Sequence, residues 1–361
     1  MGKYKKIGGV FLIDTIKIFT MINKSTFDII SNNSIIKTAF KSSDGTIFYT
    51  IINDKLEGSY SSSLSVRVGC GSKYHFVNMY YLEIEGSFHK IKRGYNSFNG
   101  FYNIIDISLK LINLVSSHYN VKLPNLKNWF LQRCDIAICY DLNNNKNVRD
   151  YINSLSMCNY PRRNLKFYQD ESLYLSGSST TLKIYNKLIE FKKHDLSKFC
   201  SSSFNLSNYL DVIDGFIRFE CEIKKKKLSA FYNKKYVRIN QVCYKDLKSI
   251  WGDEFMKLLK MFESDLTKVK SKKDVLVRLM VLYPNNKDFN LPSSKAFRLY
   301  NFYCSVMVDG VRNVRERTSK SVYYRNIKEL KDANIDFSQN MDLDFSEAVF
   351  QFNPFDYEEV I

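Results

Sequence analysis

Apolar and polar residues alternate with a two-residue period in several stretches of the chain, and this alternation predicts its strands. Residues 10–20 (VFLIDTIKIFT) read as a strand, with further β-type runs near 45–52 and 64–69 and a stronger one at 76–85 (FVNMYYLEIE). A Gly/Asn-punctuated loop (RGYNSFNG, 93–100) leads into a helix that carries Ile104, Ile105, Leu109, Ile112 and Val115 on a helical period. Residues 129–140 (WFLQRCDIAICY) return to strand, and a short helix is predicted near 146–157. The run LYLSGSSTTLKIYNK reads as a hairpin closed by a Gly/Ser turn, and GFIRFECEIK (215–224) is the last clear strand. Strands interleaved with helices in this order predict an α+β sheet with helices on one face.

The period changes near residue 240. Leu247, Ile250, Trp251, Phe255, Leu258, Leu259 and Phe262 recur every 3.6 residues with lysines between them, and further helices are predicted near 295–308 and 321–332. The expected organisation is a sheet domain over 1–235, a mainly helical domain over 236–335 and an acidic tail over 336–361. The Ser/Asn-rich stretch 197–209 reads as a surface loop.

Side chains two apart on a strand share a face, so the four strongest strands can be sorted. Tyr81, Glu83 and Glu85 lie opposite Leu82 and Ile84; Arg133 and Asp135 lie opposite Cys134, Ile136 and Ile138. Arg218, Glu220 and Glu222 lie opposite Ile217, Phe219, Cys221 and Ile223, and the alternation through TLKIYNKLIE sets Lys183, Tyr185 and Lys187 against Leu182 and Ile184. If the strands are neighbours, their charged faces merge into one surface of carboxylates and cations around a phenol. Close carboxylates repel unless a cation sits among them, which predicts a Mg²⁺ or Mn²⁺ site using Glu83, Glu85, Asp135, Glu220 and Glu222. Such a metal would polarise a phosphodiester, and Tyr185 would attack phosphorus with Lys183 or Lys187 favouring its phenolate. The competing reading is the solvent-facing side of an antiparallel sheet.

Charge narrows the partner. The formal net charge is +17 over 361 residues, and from Asp332 to Ile361 there are eight acids and no Lys or Arg, so the positive excess lies in the body. A body this basic attracts a polyanion, with affinity that falls as salt rises. Arg133, the run Lys224, Lys225, Lys226 and Lys227 at a strand end, and Arg325 and Lys328 on a C-terminal helix are the candidate phosphate contacts. That helix, capped by Ser319 or Ser321 with Tyr323, Ile327 and Leu330 inward, reads either as part of a helix-turn-helix or winged module or as half of an accessory amphipathic pair. Eight cysteines without a CxxC pair or zinc spacing read as reduced thiols. Asp14 and Lys17 interrupt the apolar run after Lys3, Lys5 and Lys6, so neither a signal peptide nor a membrane span is expected, and the chain reads as cytoplasmic.

The segments LIDTIKI, LEIEGSFHKIKRGYNSFNG, RCDIAICYDL, SLYLSGSSTTLKIYNKLIEFKKHD and GFIRFECEIKKKKLSAF, with SSKAFRLYNFYCSVMVDG and SVYYRNIKELKDANI further on, resemble the replication initiators of filamentous phages, the gene II/X family. That family is similar to the rolling-circle initiators of the HUH endonuclease group. The resemblance implies an HUH-endonuclease-like antiparallel sheet and a nicking tyrosine at Tyr185 in a Tyr-x-Lys-x-x-Glu context formed with Lys187 and Glu190. It further implies Asp135 and Glu220 at the catalytic face with Arg218 nearby. Nicking of the plus strand at a double-stranded origin, a 5′-phosphotyrosyl intermediate, a 3′ hydroxyl for the host polymerase, later rejoining and a host helicase partner, all in the host cytoplasm, follow as expectations.

The chain departs from the wider group in having no His-x-His pair. Its histidines are His75, His89, His118 and His194, and Glu83-Ile84-Glu85 stands as a possible substitute, with His89 beyond. Which side chains hold a metal stays open. A non-catalytic sequence-specific DNA-binding protein or repressor is the alternative of another class. A tyrosine recombinase ranks last, because no histidine here has an arginine three residues later.

Overall fold

The computed structural model of the chain describes residues 11–34, 36–41, 47–56, 64–71, 79–93, 101–156, 160, 162–168, 171–196, 206–266, 272–285, 288, 291–333 and 335. They divide into two compact units, one drawn from Lys3–Val148 and Arg162–Phe255, the other from Arg149–Pro161 and Met256–Asn353.

The first unit is built on one sheet. Its strands are β1 (Leu12–Ile22), β2 (Ile36–Lys41), β3 (Ile47–Leu56), β4 (Leu64–Gly71), β5 (Tyr80–Gly86), β6 (Phe130–Asp141), β7 (Asn164–Tyr168), β8 (Ser172–Ser176), β9 (Thr180–Asn186), β10 (Phe216–Lys224) and the short β11 (Val237–Arg238). The spatial order is β2-β3-β4-β5-β1-β6-β10-β9-β8-β7, with β11 paired to β6, and every described pairing is antiparallel. The four strands sorted by charge therefore do sit close together, although β1 intervenes between β5 and β6.

Antiparallel strands need only short connections, and the turn between β8 and β9 takes residues 177–179. Gly177 N–H donates to Thr180 O at 2.9 Å, and a Cβ on Gly177 would meet that oxygen at 3.0 Å. A second glycine has a packing reason. Gly215, just before β10, accepts from Leu142 N–H at 2.8 Å, and a Cβ there would come within 2.8 Å of the backbone of Asn143.

The uncharged side of the centre is a packed core. Ile136, Leu182, Ile184, Ile217, Phe219, Cys221 and Ile223 are all at most 1% exposed. The first turns of helix α8 (Tyr244–Leu266) cover it: Phe255 packs edge-on to Phe219 at 5.3 Å, and the Trp251 indole N–H donates to Phe219 O at 3.3 Å. Helix α3 (Ile104–Tyr119), held by an Asn103 cap that accepts from Ile105 and Asp106 N–H, packs on β1 and β5.

The expectation of helices on one face needs correction. Helices α5 (Lys187–His194) and α6 (Leu206–Val212) place Leu188, Phe191, Tyr209 and Ile213 against Cys139 and Phe216. Both partners alternate in phase with Asp135 and Arg218, so these two helices cap one end of the charged face.

The short elements α1 (Lys24–Asn32), α2 (Phe88–Arg93) and α7 (Lys225–Tyr232) complete this unit. Helix α4 (Asn145–Ser156) carries Val148 in this unit and Tyr151, Ile152 and Leu155, all buried, in the other.

The second unit is helical in its described part beyond α8. Helices α9 (Lys272–Leu282), α10 (Ser294–Arg317) and α11 (Lys320–Asp332) share a core of Val275, Leu279, Leu299, Tyr303, Val306, Tyr323 and Leu330. Ser293 caps α10 by accepting from Ala296 N–H at 3.2 Å, whereas Ser319 makes no such bond at α11. Tyr323 and Leu330 face inward, Ile327 packs on the same core, and Arg325 and Lys328 are exposed, as the helical period requires. No helix among the described residues is long and apolar enough to cross a membrane. The six described cysteines are free thiols.

Candidate active site

Register fixes the site. Arg218 on β10 stands opposite Tyr185 on β9 and Cys139 on β6; Glu220 stands opposite Lys183, and Glu222 opposite Asp135. Across β8, Lys183 faces Tyr174 and Tyr185 faces Ser172. The ladder thus brings Tyr185, Lys183, Arg218, Glu220, Glu222, Asp135 and Arg133 together from three adjacent strands.

Two irregularities in β1 and β6 complete the face. Between Ile13 and Ile16 the pairing with β6 slips by one residue, which turns both Asp14 and Thr15 toward the charged side. Asp14 was not legible as a site residue because the alternation predicted for 10–20 assumes an unbroken strand. It accepts from Arg218 Nη2 at 3.0 Å and from Ser87 Oγ at 3.1 Å.

The Tyr185 hydroxyl donates to Glu220 Oε2 at 2.9 Å. Glu220 Oε1 accepts from Lys183 Nζ at 2.8 Å, and the same ammonium lies 3.3 Å from Asp135 Oδ2 and 3.4 Å from Glu222 Oε2. Arg133 grips Asp135 with two nitrogens, its Nε donating to Oδ1 at 2.7 Å, and reaches Glu85 at 3.0 Å and Glu222 at 3.3 Å. The fully buried Arg218 holds Asp14, lies 3.5 Å from Glu220 Oε2 through Nε, and stands 5.9 Å from the Tyr185 ring centre.

Burial sets the electrostatics. Tyr185 is 7% exposed, and loss of solvent holds its phenol well above the ordinary value of 10; Arg218 opposes that shift and Glu220 adds to it. Burial also pushes Asp135 up to about 6, against the opposing pull of Lys183 and Arg133. For Lys183, burial favours the neutral amine, but Glu220 and Asp135 outweigh it and keep the ammonium above its usual range. The phenol is therefore protonated at neutral pH, and its hydroxyl is hydrogen-bonded to the Glu220 side chain.

Tyr185, Lys183, Glu220, Asp135, Arg133 and Asp14 line a cavity of about 500 Å³ that also takes in Tyr174, Lys90, Lys193, His194 and Glu190, whereas Arg218 and Glu222 lie outside its lining. Lys187 does not join them. The strand ends at Asn186, which caps α5 by accepting from Ile189 N–H at 3.2 Å and also bonds Asn145, so Lys187 opens a helix instead of extending the alternation. Its ammonium is fully buried and bonded to Glu190. An Asn-x-x-Ile start to a helix was the available signal.

The remaining candidates separate. Glu85 lines the cavity and is tied to Lys17 at 2.9 Å as well as to Arg133, whereas Glu83, bonded to Arg67 at 3.4 Å, does not line it. The lysine run also splits, because a helix begins at Lys225. Lys224 donates to Gly177 O at 2.8 Å, Lys226 to Ser178 Oγ at 3.3 Å, Lys227 to Glu254 at 2.8 Å, and Lys225 lies over the Tyr236 ring. His89 is buried beside Phe101, with Nε2 accepting that residue's N–H at 2.9 Å; His118 packs on Tyr119, and His75 lies outside the described residues.

Asp135, Glu220 and Glu222 supply the hard oxygen donors that Mg²⁺ or Mn²⁺ takes, and they already surround one positive charge, Lys183 Nζ. By donor chemistry they fit such an ion. Lys183 and Arg133 stand between them, so among the described residues no three His, Cys, Asp or Glu side chains have metal-holding geometry.

Residues 20–243 match the family described as replication-associated protein G2P, N-terminal. No curated protein matches the chain.

Proposed function

The chain belongs to the replication-associated protein family of filamentous-phage replication initiators, and on that premise we propose that it is a rolling-circle initiator that nicks one strand of a double-stranded origin and later rejoins it. The Tyr185 oxygen attacks the scissile phosphorus, the bond to the 3′ oxygen breaks, and the 5′ phosphate stays on tyrosine. The phenolic proton passes to Glu220 Oε2, and the departing 3′ oxygen takes up a proton from water to become the hydroxyl that a host polymerase extends, with a host helicase opening the duplex. Lys183 and Arg133 hold Glu220 and Asp135 in place and offset charge on the phosphoryl oxygens. Arg218 holds Asp14 and sets a positive charge beside the Tyr185 ring. Asp135, Glu220 and Glu222 are the residues that would hold Mg²⁺ or Mn²⁺, which when bound polarises the phosphodiester. Exposed Arg325 and Lys328 on α11 are suited to phosphate contacts with the origin duplex.

One observation carries this reading: the buried Tyr185 hydroxyl, on a basic protein of a replication family, donates to a carboxylate at 2.9 Å. An unperturbed phenol has a pKa of about 10, so attack at neutral pH needs a base within reach. Incubating the protein with origin duplex and Mg²⁺ or Mn²⁺ is expected to give a denaturation-resistant protein–DNA adduct that disappears with EDTA and in Tyr185→Phe. The 7% exposure of Tyr185 favours a second reading, a DNA-binding protein or repressor in which the phenol is structural. Sequence-specific binding by the wild type with no adduct under any metal condition would select it.

A further inference from the structure

The charged face does not end at Arg133. The pairing of β1 with β6 slips again between Lys17 and Ile18, opposite Arg133 and Leu131, so Gln132 is taken up in a bulge and the alternation shifts by one. Phe130, three residues from Arg133, consequently stands on the same face and stacks on Phe19 at 5.1 Å and 28°. Tyr236 closes the group, 5.5 Å from Phe19 and 5.9 Å from Phe130. Phe19 and Tyr81 are buried beneath, whereas Phe130 and Tyr236 are partly open to solvent. The chain segment carrying Tyr236 is anchored immediately afterwards, where Val237 and Arg238 pair with Leu131 and Phe130.

Cations surround this aromatic group. Lys225 Nζ lies 4.2 Å and Lys235 Nζ 5.7 Å from the Tyr236 ring centre, and the Arg238 guanidinium lies 5.9 Å from that of Phe130. Burial and the neighbouring Lys235 both lower the pKa of Lys225, the mark of two ammoniums crowded over one ring. Among the described residues none of the three cations has a carboxylate in ion-pairing distance. The contrast with the tyrosine end of the face is direct, because there each cation meets an acid. Open aromatic rings bordered by uncompensated positive charge match a ligand that offers flat π-surfaces joined by phosphates. A duplex hides its base faces in the stack, so it can meet the cations but not the rings.

We propose that Phe130 and Tyr236, with Lys225, Lys235 and Arg238, form a stacking platform for single-stranded DNA at the far end of the face that carries Tyr185. This rests on the nicking reading only for the source of the strand. With a rise of about 3.3 Å per residue along β6, the platform lies roughly 15 Å from Asp135, a few nucleotides from the phosphate to be cut.

The test measures equilibrium binding of a short labelled oligothymidylate and of a duplex of the same length to the full chain, each across a salt series and without nicking. Tyr236→Ala is expected to weaken oligothymidylate binding about tenfold with an unchanged salt slope and little change for the duplex, while Tyr236→Phe keeps wild-type affinity. Lys225→Ala with Lys235→Ala is expected to flatten the salt slope for the single strand by about one to two. Tyr236→Trp keeps an aromatic surface and adds a probe, and its fluorescence is expected to be quenched by oligothymidylate and not by duplex. Equal losses for single strand and duplex in Tyr236→Ala, no loss in either, or no quenching would overturn the platform. Failure of adduct formation at Tyr185 bears on the nicking reading alone, since none of these measurements depends on cleavage.

Discussion

The two faces of β10 are both buried through Glu220 and are chemically opposite. Ile217, Phe219, Cys221 and Ile223 are sealed on one side, and Arg218 and Glu220 are at most 4% exposed on the other. The apolar side needs no special explanation, since removing hydrocarbon from water stabilises the fold. The charged side costs desolvation that ion pairing recovers only in part, and a hydrocarbon side chain of similar volume often serves stability as well or better. A face that keeps Tyr185, Arg218, Glu220 and Asp135 under cover on three adjacent strands is thus organised around something other than stability. Water-poor surroundings strengthen each charge interaction, which is what stabilisation of a developing phosphorane requires.

Substitutions on the two faces should separate accordingly. Glu220→Gln keeps the shape but removes the proton acceptor, and the adduct-forming rate in single-turnover assays is expected to fall by roughly 10² to 10⁴ with origin affinity nearly unchanged. An equal fall in binding and rate would return Glu220 to a structural role. On the opposite face, Phe219→Ala is expected to lower unfolding stability by about 3 to 5 kcal/mol in urea titrations while the residual folded protein still forms adduct. A third cluster, at the edge of the apolar side, joins Arg163, Thr180 and Lys227 to Glu254. Burial alone would raise the Glu254 carboxyl, but Lys227, Thr180 and Arg163 outweigh it and hold the pKa below its usual 4.5. Stability from this group is therefore complete above that pH and is lost as pH falls through the lower folded-state value. Glu254→Gln is expected to cost about 3 kcal/mol at pH 7, and thermal scans should show the gap to wild type narrowing below about pH 4.5. A gap that is constant with pH would mean that the ion pairs contribute nothing. The smallest effect is expected at Glu83. Glu83→Gln is expected to slow adduct formation by less than about threefold, because its side chain meets Arg67 outside the cavity.

Much of this was legible in the sequence because antiparallel strands with one charged side carry their burial in their spelling. The alternations through Glu85, Asp135, Tyr185 and Glu220 place these side chains on one face, as the register has them, and the resemblance to phage initiators is matched by the family shown over residues 20–243. The failures come where the two-residue period breaks. Bulges near Asp14 and Gln132 bring Asp14 and Phe130 onto the face, and a helix start at Asn186 removes Lys187 from it. A bulge depends on the partner strand, so one strand's pattern does not reveal it. Helices α5 and α7 escaped because eight residues rich in lysine give a weak period, α9 because its apolar residues run nearly all round the helix, and β7 because it is a mostly exposed edge strand. The prediction of helices on one face failed for a related reason: the apolar residues of α5 and α6 need Cys139 and Phe216, which read as members of the charged face.

The most direct test locates the covalent bond. Origin duplex is incubated with wild-type protein and Mn²⁺, digested with nuclease and protease, and the nucleotide-bearing peptide is sequenced by mass spectrometry. The nucleotide is expected on Tyr185 alone, with Tyr174, in the same cavity, unmodified. A nucleotide carried by Tyr174 or any other residue, with Tyr185 bare, would contradict the account.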